Sequence, residues 1–104
     1  MHARVAFYKL RSGSLDEVVR TVETPGGLME IFRAQPGFRS YELIDAGAGL
    51  ISVSRWESSE QALAATEAAA TWVAENIDDL VKLQQSNTGE IAVSSTAAAA
   101  SGQS

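Results

Sequence analysis

Apolar and polar residues alternate loosely over the first ten positions, a spacing typical of a β-strand. Val5 and Phe7 fall on one side of such a strand. The opposite side carries Tyr8 and Leu10. We therefore predict a first strand over residues 3–10, and both of its sides carry bulky apolar groups.

The next apolar residues follow a helical spacing with one interruption. Ser14 is followed three residues later by Glu17, a capping box that indicates the start of a helix. The segment Pro25-Gly26-Gly27 interrupts the spacing, because proline lacks a backbone donor and glycine adds an entropic cost. We predict a broken helix over residues 15–34. The break is either a functional kink or, as we favour, a plain insertion of the kind that loops tolerate well.

Two more strands are predicted at Phe38–Asp45 and at residues 50–57, joined by the glycine-rich turn 46–49. The third strand is apolar on both sides, with Leu50 and Trp56 on one and Ile51 and Val53 on the other.

A second capping box, Ser58 with Gln61, begins another stretch of helical spacing. We predict helical structure over residues 59–84, a length that favours two helices meeting at a bend near Ala70 or Asn76, and a fourth strand over residues 90–95. Residues 96–104 have few bulky side chains, and we expect them to form a flexible tail after a single domain that ends at residue 95.

The predicted element order is typical of an α+β, ferredoxin-like βαββαβ fold with a four-stranded antiparallel sheet. Two helices cover only one face of such a sheet, yet the strands are apolar on both. Each large apolar side chain left in water would forgo about 1.5–3 kcal/mol. We therefore expect a homodimer in which two sheets pack against each other.

Composition narrows the classes of function. The chain has 104 residues and no cysteine, which excludes disulfides and thiol chemistry and favours the cytoplasm. The net charge is −5, and the eight basic residues are scattered along the chain, so we expect no nucleic-acid partner. Nowhere do 18 consecutive apolar residues occur, so we expect no membrane span.

Several short motifs, in this order and spacing, resemble the antibiotic biosynthesis monooxygenase (ABM) family: Pro36-Gly37-Phe38, Tyr41, the Gly47/Gly49 hairpin and Trp56-Glu57-Ser58-Ser59-Glu60. The resemblance extends from about Arg4 to Val93. It implies a dimeric α+β barrel, with a pocket between sheet and helices in each subunit. In this family some members oxygenate polyketide aromatics or quinols without metal or flavin, some degrade haem, and many have no established activity.

The resemblance does not extend to the residues of haem degradation. Haem-degrading members use an Asn on the first strand and a Trp and a His on the helix after the third, and these places fall at Ala6, Ala65 and Glu75. The lone histidine, His2, stands near a terminus that we expect to be flexible, and we assign it no chemical role. With no cluster of metal-ligating residues, we expect neither a metal nor another cofactor.

Cofactor-free oxygenation requires an apolar slot, hydrogen bonds that fix the ring, and stabilisation of the substrate's negative charge. The aromatic and polar side chains available for such a pocket are Tyr8, Arg39, Tyr41, Ser54, Trp56 and Trp72.

Each of these residues also has an ordinary structural interpretation. Trp56 matches a family Trp and would form a wall of the slot, although a buried core aromatic is the commoner role. The alanines around Trp72 leave space either for a planar ligand or for close helix packing. Arg39 and Tyr41 are predicted to share one face of the second strand, where Arg39 would stabilise an oxyanion and Tyr41 would orient a phenol. An exposed arginine and a half-buried tyrosine are the alternative.

Two hypotheses of different class follow. The first is a small-molecule monooxygenase of the ABM type that acts on a quinol or an anthrone-like aromatic. The second is a non-catalytic dimeric module that binds a small apolar ligand or none. The sequence offers no strong general base, because its carboxylates are scattered and a solvated Glu has a pKa of about 4.3. The second hypothesis therefore stands nearly level with the first.

Overall fold

A four-stranded antiparallel sheet carries three helices on one face, in a computed structural model that describes residues 1–95. The strand order is β2-β3-β1-β4. This architecture confirms the predicted α+β, ferredoxin-like fold. The expected tail, residues 96–104, lies outside the described residues. In chain order the elements are β1 (His2–Leu10), α1 (Leu15–Glu23), α2 (Leu28–Ala34), β2 (Phe38–Asp45), β3 (Gly49–Trp56), α3 (Ser59–Asn76) and β4 (Val81–Glu90).

The helix starts and the helix break lie where the sequence predicts them. The side chain of Ser14 accepts the backbone N–H of Glu17 at 3.3 Å, and this bond caps α1. Ser58 caps α3 in the same way. Between α1 and α2 the chain turns through Gly26, which has a φ of 81°. The predicted broken helix is therefore two separate helices.

The hairpin between β2 and β3 aligns these two strands, and the glycine at its end places β3 against β1. Its turn is held by Asp45, whose carboxylate accepts the N–H of Gly47 at 2.9 Å, with a φ of 82° at Gly47. At the start of β3, Gly49 lies directly against the backbone of β1. A Cβ at this position would collide with the carbonyl oxygen of Tyr8.

The last strand and the histidine near the start of the chain correct two expectations. α3 ends at Asn76, and the chain then forms β4 alongside β1, so the predicted helix to residue 84 and the predicted strand at 90–95 are wrong. Apart from Val81 the side chains of β4 are exposed, which is why the strand shows no apolar alternation. His2 is not at a flexible end, because it begins β1 and pairs with Trp56 and Glu90.

The two faces of the sheet differ in their cover. The helix-facing side holds the core, in which Trp56 is fully buried and contacts the rings of Phe32 and Phe38 at centroid distances of 5.4 and 5.5 Å. On the open face, Val5 and Ile44 are 43% and 45% exposed. We define the open face by its large apolar residues, which are Val5, Phe7, Ile44, Ile51 and Val53.

Within residues 1–95 no helix has the length and hydrophobicity that crossing a membrane requires.

Candidate functional site

Two neighbouring cavities lie between the sheet and the helices. The first, the inner cavity, has a volume of about 20 Å³ and lies between Tyr8, Tyr41, Ser52 and Trp72. A water molecule needs about 10–15 Å³ on this scale, whereas a cavity of about 150 Å³ takes a benzene ring. The inner cavity therefore has room for one water and none for an aromatic ligand.

The second, the outer cavity, has a volume of about 240 Å³ and opens between α3, β1 and β4. Tyr8, Val73 and Val81 line both cavities and so lie between them. Small residues of α3, among them Ala70 and Ala74, form the wall opposite the sheet. By volume the outer cavity admits a ligand of one or two aromatic rings.

Arg4 and Tyr8 form the inner end of the outer cavity. They lie four residues apart on β1, where side chains alternate between the two faces, so both point to the helix-facing side. Arg4 is only 2% exposed, and its Nη2 donates a hydrogen bond to the Tyr8 hydroxyl at 3.3 Å. A buried guanidinium thus contacts a buried phenol at the edge of a ligand-sized space.

The charge of Arg4 has no counter-charge in the described part of the chain. No carboxylate of residues 1–95 forms a salt bridge with it, and its Nε is buried without a hydrogen-bond partner. On the flanking strands it pairs with Ser54 and Thr88, neither of which is charged. Burying a charge is costly unless it is paired, so this arrangement calls for an explanation.

Charged residues at the outer cavity are mostly basic. Arg11 and Lys82 line it in addition to Arg4, and Asp78 is the one acidic lining residue among residues 1–95. Arg11 is held in place because its Nε donates to the carbonyl oxygen of Val81 at 3.2 Å. The cavity is therefore positive within a chain whose net charge is −5.

The inner cavity contains polar groups that stay neutral. Burial raises the pKa of Tyr41 from 10.0 to about 12, while the neighbouring Ser52 hydroxyl opposes this rise. The Ser52 hydroxyl is buried near the Tyr41 phenol, but no group of residues 1–95 meets the full geometry of a hydrogen bond with it. At neutral pH Tyr41 is thus a hydrogen-bond donor and not a base.

Tyr41 is expected to make the fold alkali-sensitive in a narrow pH window. Its raised pKa favours the protonated phenol in the folded state, so its contribution is complete below pH 10.0 and is lost as the pH rises through about 12. Because the ring is partly exposed, we expect a loss of about 1–2 kcal/mol. Urea unfolding across this window checks it, with Tyr41→Phe as the control that removes this component. Equal pH slopes in both proteins would contradict the prediction.

The structure brings only some of the predicted pocket residues together. Tyr8, Tyr41 and Trp72 line the inner cavity, and Ser52 lines it where Ser54 was expected. Ser54 instead accepts a hydrogen bond from Trp56 Nε1 at 2.9 Å inside the core. Trp56 therefore lies in the buried core, as the structural interpretation of this residue predicts.

Arg39 does not lie at either cavity. The pairing of β2 with β3 is irregular between Phe38 and Ser40, and this bulge turns Arg39 away from the side that carries Tyr41. Its guanidinium forms an exposed ion pair with Glu57 at 2.7 Å. The prediction that Arg39 and Tyr41 share a face is wrong, because one extra residue reverses the alternation.

Arg4 is the residue that sequence reasoning missed. A signal was present, since Arg4 stands on the same side of β1 as the buried Ala6 and Tyr8. At the places used by haem-degrading proteins, Ala6 and Ala65 are fully buried and Glu75 is exposed. No group of three His, Cys, Asp or Glu residues within the described range is arranged to hold a metal ion.

Solved structures with this fold include proteins of different activity. A dimeric ferredoxin-like protein from an uncultured marine organism matches with a TM-score of 0.69 and 14% identity over 92% of this chain and 99% of its own. A variant of SnoaB, a cofactor-independent oxygenase from Streptomyces nogalater, matches at 0.64 and 14% over 89% and 95%. A variant of MhuD with two manganese protoporphyrin IX molecules bound per active site matches at 0.68 and 14% over 92% and 99%.

At such identities these structures show the fold and no more. No curated protein matches the chain significantly. The sequence model of one family, described as antibiotic biosynthesis monooxygenase, matches residues 1–74. The protein therefore belongs to the ABM family.

Proposed function

We propose that this protein is a small-molecule oxygenase of the ABM type, which acts on an electron-rich aromatic without metal or flavin. The observation that carries the proposal is the outer cavity, a space of about 240 Å³ with an apolar wall and a phenol at its inner end. The fold that the chain shares with the cofactor-independent oxygenase SnoaB supports it. We place the reaction in the cytoplasm, the compartment that the composition favours.

The size of the cavity selects among the substrates that the sequence suggests. A benzene ring takes about 150 Å³ on this scale, so the cavity fits a one-ring or two-ring quinol or phenol better than a three-ring anthrone. Ala70 and Val73 would contact the face of the ring. The Tyr8 hydroxyl would donate a hydrogen bond to the ring oxygen and orient it.

The reaction balances without a further reductant. For a phenol oxidised to a quinone, the ring carbon opposite the hydroxyl loses its hydrogen and gains one oxygen atom of dioxygen. The second oxygen atom leaves as water and takes that hydrogen and the phenolic one. The substrate thus supplies all four electrons, and the protein positions the ionised ring and excludes water.

One observation favours a non-catalytic module as the second candidate. Within residues 1–95, Asp78 is the one carboxylate at the outer cavity, and it is exposed to solvent. An exposed carboxylate is a poor base for a phenol, so a ligand would bind without turnover unless it arrives ionised. This candidate predicts a ligand-induced rise in Tm with no oxygen consumption.

We propose further that the protein is a homodimer formed through the open face. The exposed apolar side chains there, Val5 and Ile44 among them, would regain about 1.5–3 kcal/mol each on burial. A second copy offers the same apolar surface, as an isologous interface requires. A solved structure of similar fold, described as a dimeric ferredoxin-like protein, supports a dimer.

Filling the outer cavity is expected to slow oxygen uptake strongly. Ala70→Phe places a ring in the space that the substrate would occupy, and we expect at least a tenfold loss in kcat/KM, about 1.4 kcal/mol. An oxygen electrode with metal-free protein and a panel of one-ring and two-ring quinols and polyphenols measures it.

The matched control is Ala64→Phe, which changes the same residue type on the same helix. Ala64 lines a separate surface groove with Ile31 and Thr71, away from the outer cavity. Uptake that survives Ala70→Phe would contradict the location of the site. Absence of uptake by the unmodified protein across the panel would overturn the oxygenase proposal.

A further inference from the structure

We propose that the outer cavity is an anion site, in which Arg4 and Tyr8 bind the negatively charged group of a flat aromatic ligand. The charged group is an aromatic carboxylate or an ionised phenol. The inference rests on the proposed function in one respect, which is that the ligand lies in the outer cavity. It adds the sign of the ligand's charge and the residues that recognise it, and it holds with or without turnover.

The first argument is the unpaired buried charge. Arg4 is only 2% exposed to solvent, and its Nε has no hydrogen-bond partner within residues 1–95. A structural arginine at such depth is ordinarily neutralised by a carboxylate. Since none is supplied by the described chain, an anionic ligand is the natural counter-charge.

The second argument is the direction of the hydrogen bond between the two residues. The Tyr8 hydroxyl accepts from Arg4 Nη2, so its own hydrogen is left to donate to another group. A guanidinium and a hydroxyl thus present donors at one end of the cavity. Two donors and a positive charge match the acceptor oxygens of a carboxylate or a phenolate.

The third argument concerns every element that borders Arg4. From the flanking strands it meets Ser54 and Thr88, and from α3 the cavity is lined by Thr66 and alanines. The lone acidic lining residue, Asp78, follows the end of α3 and is exposed. Three of the eight basic residues of this acidic chain line the outer cavity, and their charge favours a negative ligand there.

A binding role and a structural role predict opposite effects of Arg4→Met on the free protein. If Arg4 serves a ligand, removing the unpaired charge relieves a buried cost, and the Tm of the free protein rises or is unchanged. If Arg4 holds the fold together, the same substitution lowers the Tm. Arg33→Met, on the exposed surface of α2, is the control for loss of a charge.

The test uses probes that share a ring and differ in charge. Calorimetric titration of the full chain with 2-naphthoate is compared with the neutral 2-naphthylmethanol, and we expect at least tenfold tighter binding of the anion. Arg4→Met should abolish the difference, Arg4→Lys should retain part of it, and Tyr8→Phe should reduce it. Equal affinity for the two probes, or no detectable naphthoate binding at millimolar concentration, would overturn the proposal.

A second probe separates the two sources of charge. Binding of 4-nitrophenol, measured on either side of its own ionisation, should strengthen on ionisation if the site takes phenolates. Naphthoate binding without such strengthening would restrict the site to carboxylates. Salt should weaken binding of both anions, since the interaction is between opposite charges.

The anion-site proposal and the oxygenase proposal can be overturned independently of each other. Tight, Arg4-dependent anion binding without oxygen uptake by any ligand would uphold the anion site and overturn the oxygenase. Oxygen uptake that is unchanged in Arg4→Met would overturn the anion site alone.

Discussion

Replacing Trp56 with alanine is expected to leave the domain unfolded, or close to unfolded, at physiological temperature. The side chain is fully buried and packs edge-on against Phe32 and Phe38. Removing a buried Trp costs about 3–5 kcal/mol, which approaches the whole stability of a small domain at the lower end of the usual range of about 5–15 kcal/mol. Urea unfolding at a fixed protein concentration measures the loss, since the proposed dimerisation would make stability concentration-dependent.

Two variants show whether packing causes that effect. Trp56→Phe keeps most of the ring volume but removes the hydrogen bond to Ser54, so we expect a smaller loss of about 1–3 kcal/mol. Leu63→Ala removes an apolar side chain that is 56% exposed, and we expect a change within about 0.5 kcal/mol. A loss below about 1 kcal/mol for Trp56→Ala would show that Trp56 does not organise the core.

A lysine at the centre of the open face is expected to convert the proposed dimer into a monomer. Ile51 pairs with Phe7 on one side and Ile44 on the other, so it lies in the middle of the apolar surface. An unpaired ammonium buried there would cost several kcal/mol, and about 2.7 kcal/mol already raises the Kd a hundredfold. Light scattering coupled to size-exclusion chromatography at micromolar concentration measures the mass of Ile51→Lys.

The matched control for that experiment is Leu63→Lys, which places the same charge on the exposed side of α3. It should leave the dimer intact. Tryptophan fluorescence should show that both variants keep the fold, since neither residue belongs to the buried core. A monomeric wild-type protein, or a dimeric Ile51→Lys, would refute an interface through this face.

Local signals in the sequence were sufficient for most of the fold. The serine caps before α1 and α3, the glycine turn before β3 and the Pro25-Gly26-Gly27 break each act within a few residues, so the sequence predicts them directly. The alternation in β1 and β3 likewise predicts which side chains share a face, although both faces are apolar and the helices decide which one is buried.

The errors came from features that depend on distant parts of the chain. β4 is a strand because β1 offers it a pairing edge, whereas its own polar residues show no alternation. The irregular pairing near Arg39 depends on how β2 meets β3, and one inserted residue moves that side chain to the other side. Neither is encoded in a short window.

The candidate site was predictable in part. Tyr8, Tyr41 and Trp72 were named from the sequence and border the inner cavity, but of the six predicted pocket residues Tyr8 alone lines the outer cavity, as far as the described residues show. The outer cavity was not predicted, because its volume depends on the distance between α3 and β4, and β4 itself was misplaced. Arg4 was overlooked because arginine is ordinarily a surface residue, although its position in β1 indicated burial.

The missing side chain at Gly49 has a consequence for chemistry as well as for folding. Since any larger residue would strike the Tyr8 carbonyl, β3 can dock on β1 only with the glycine at that crossing. If the pairing register between β1 and β3 shifted by one residue, every side chain of β1 would move to the opposite face, with Arg4 outside and Val5 inside. A single hydrogen atom in place of a methyl group thus helps to decide that the guanidinium lies inside the molecule.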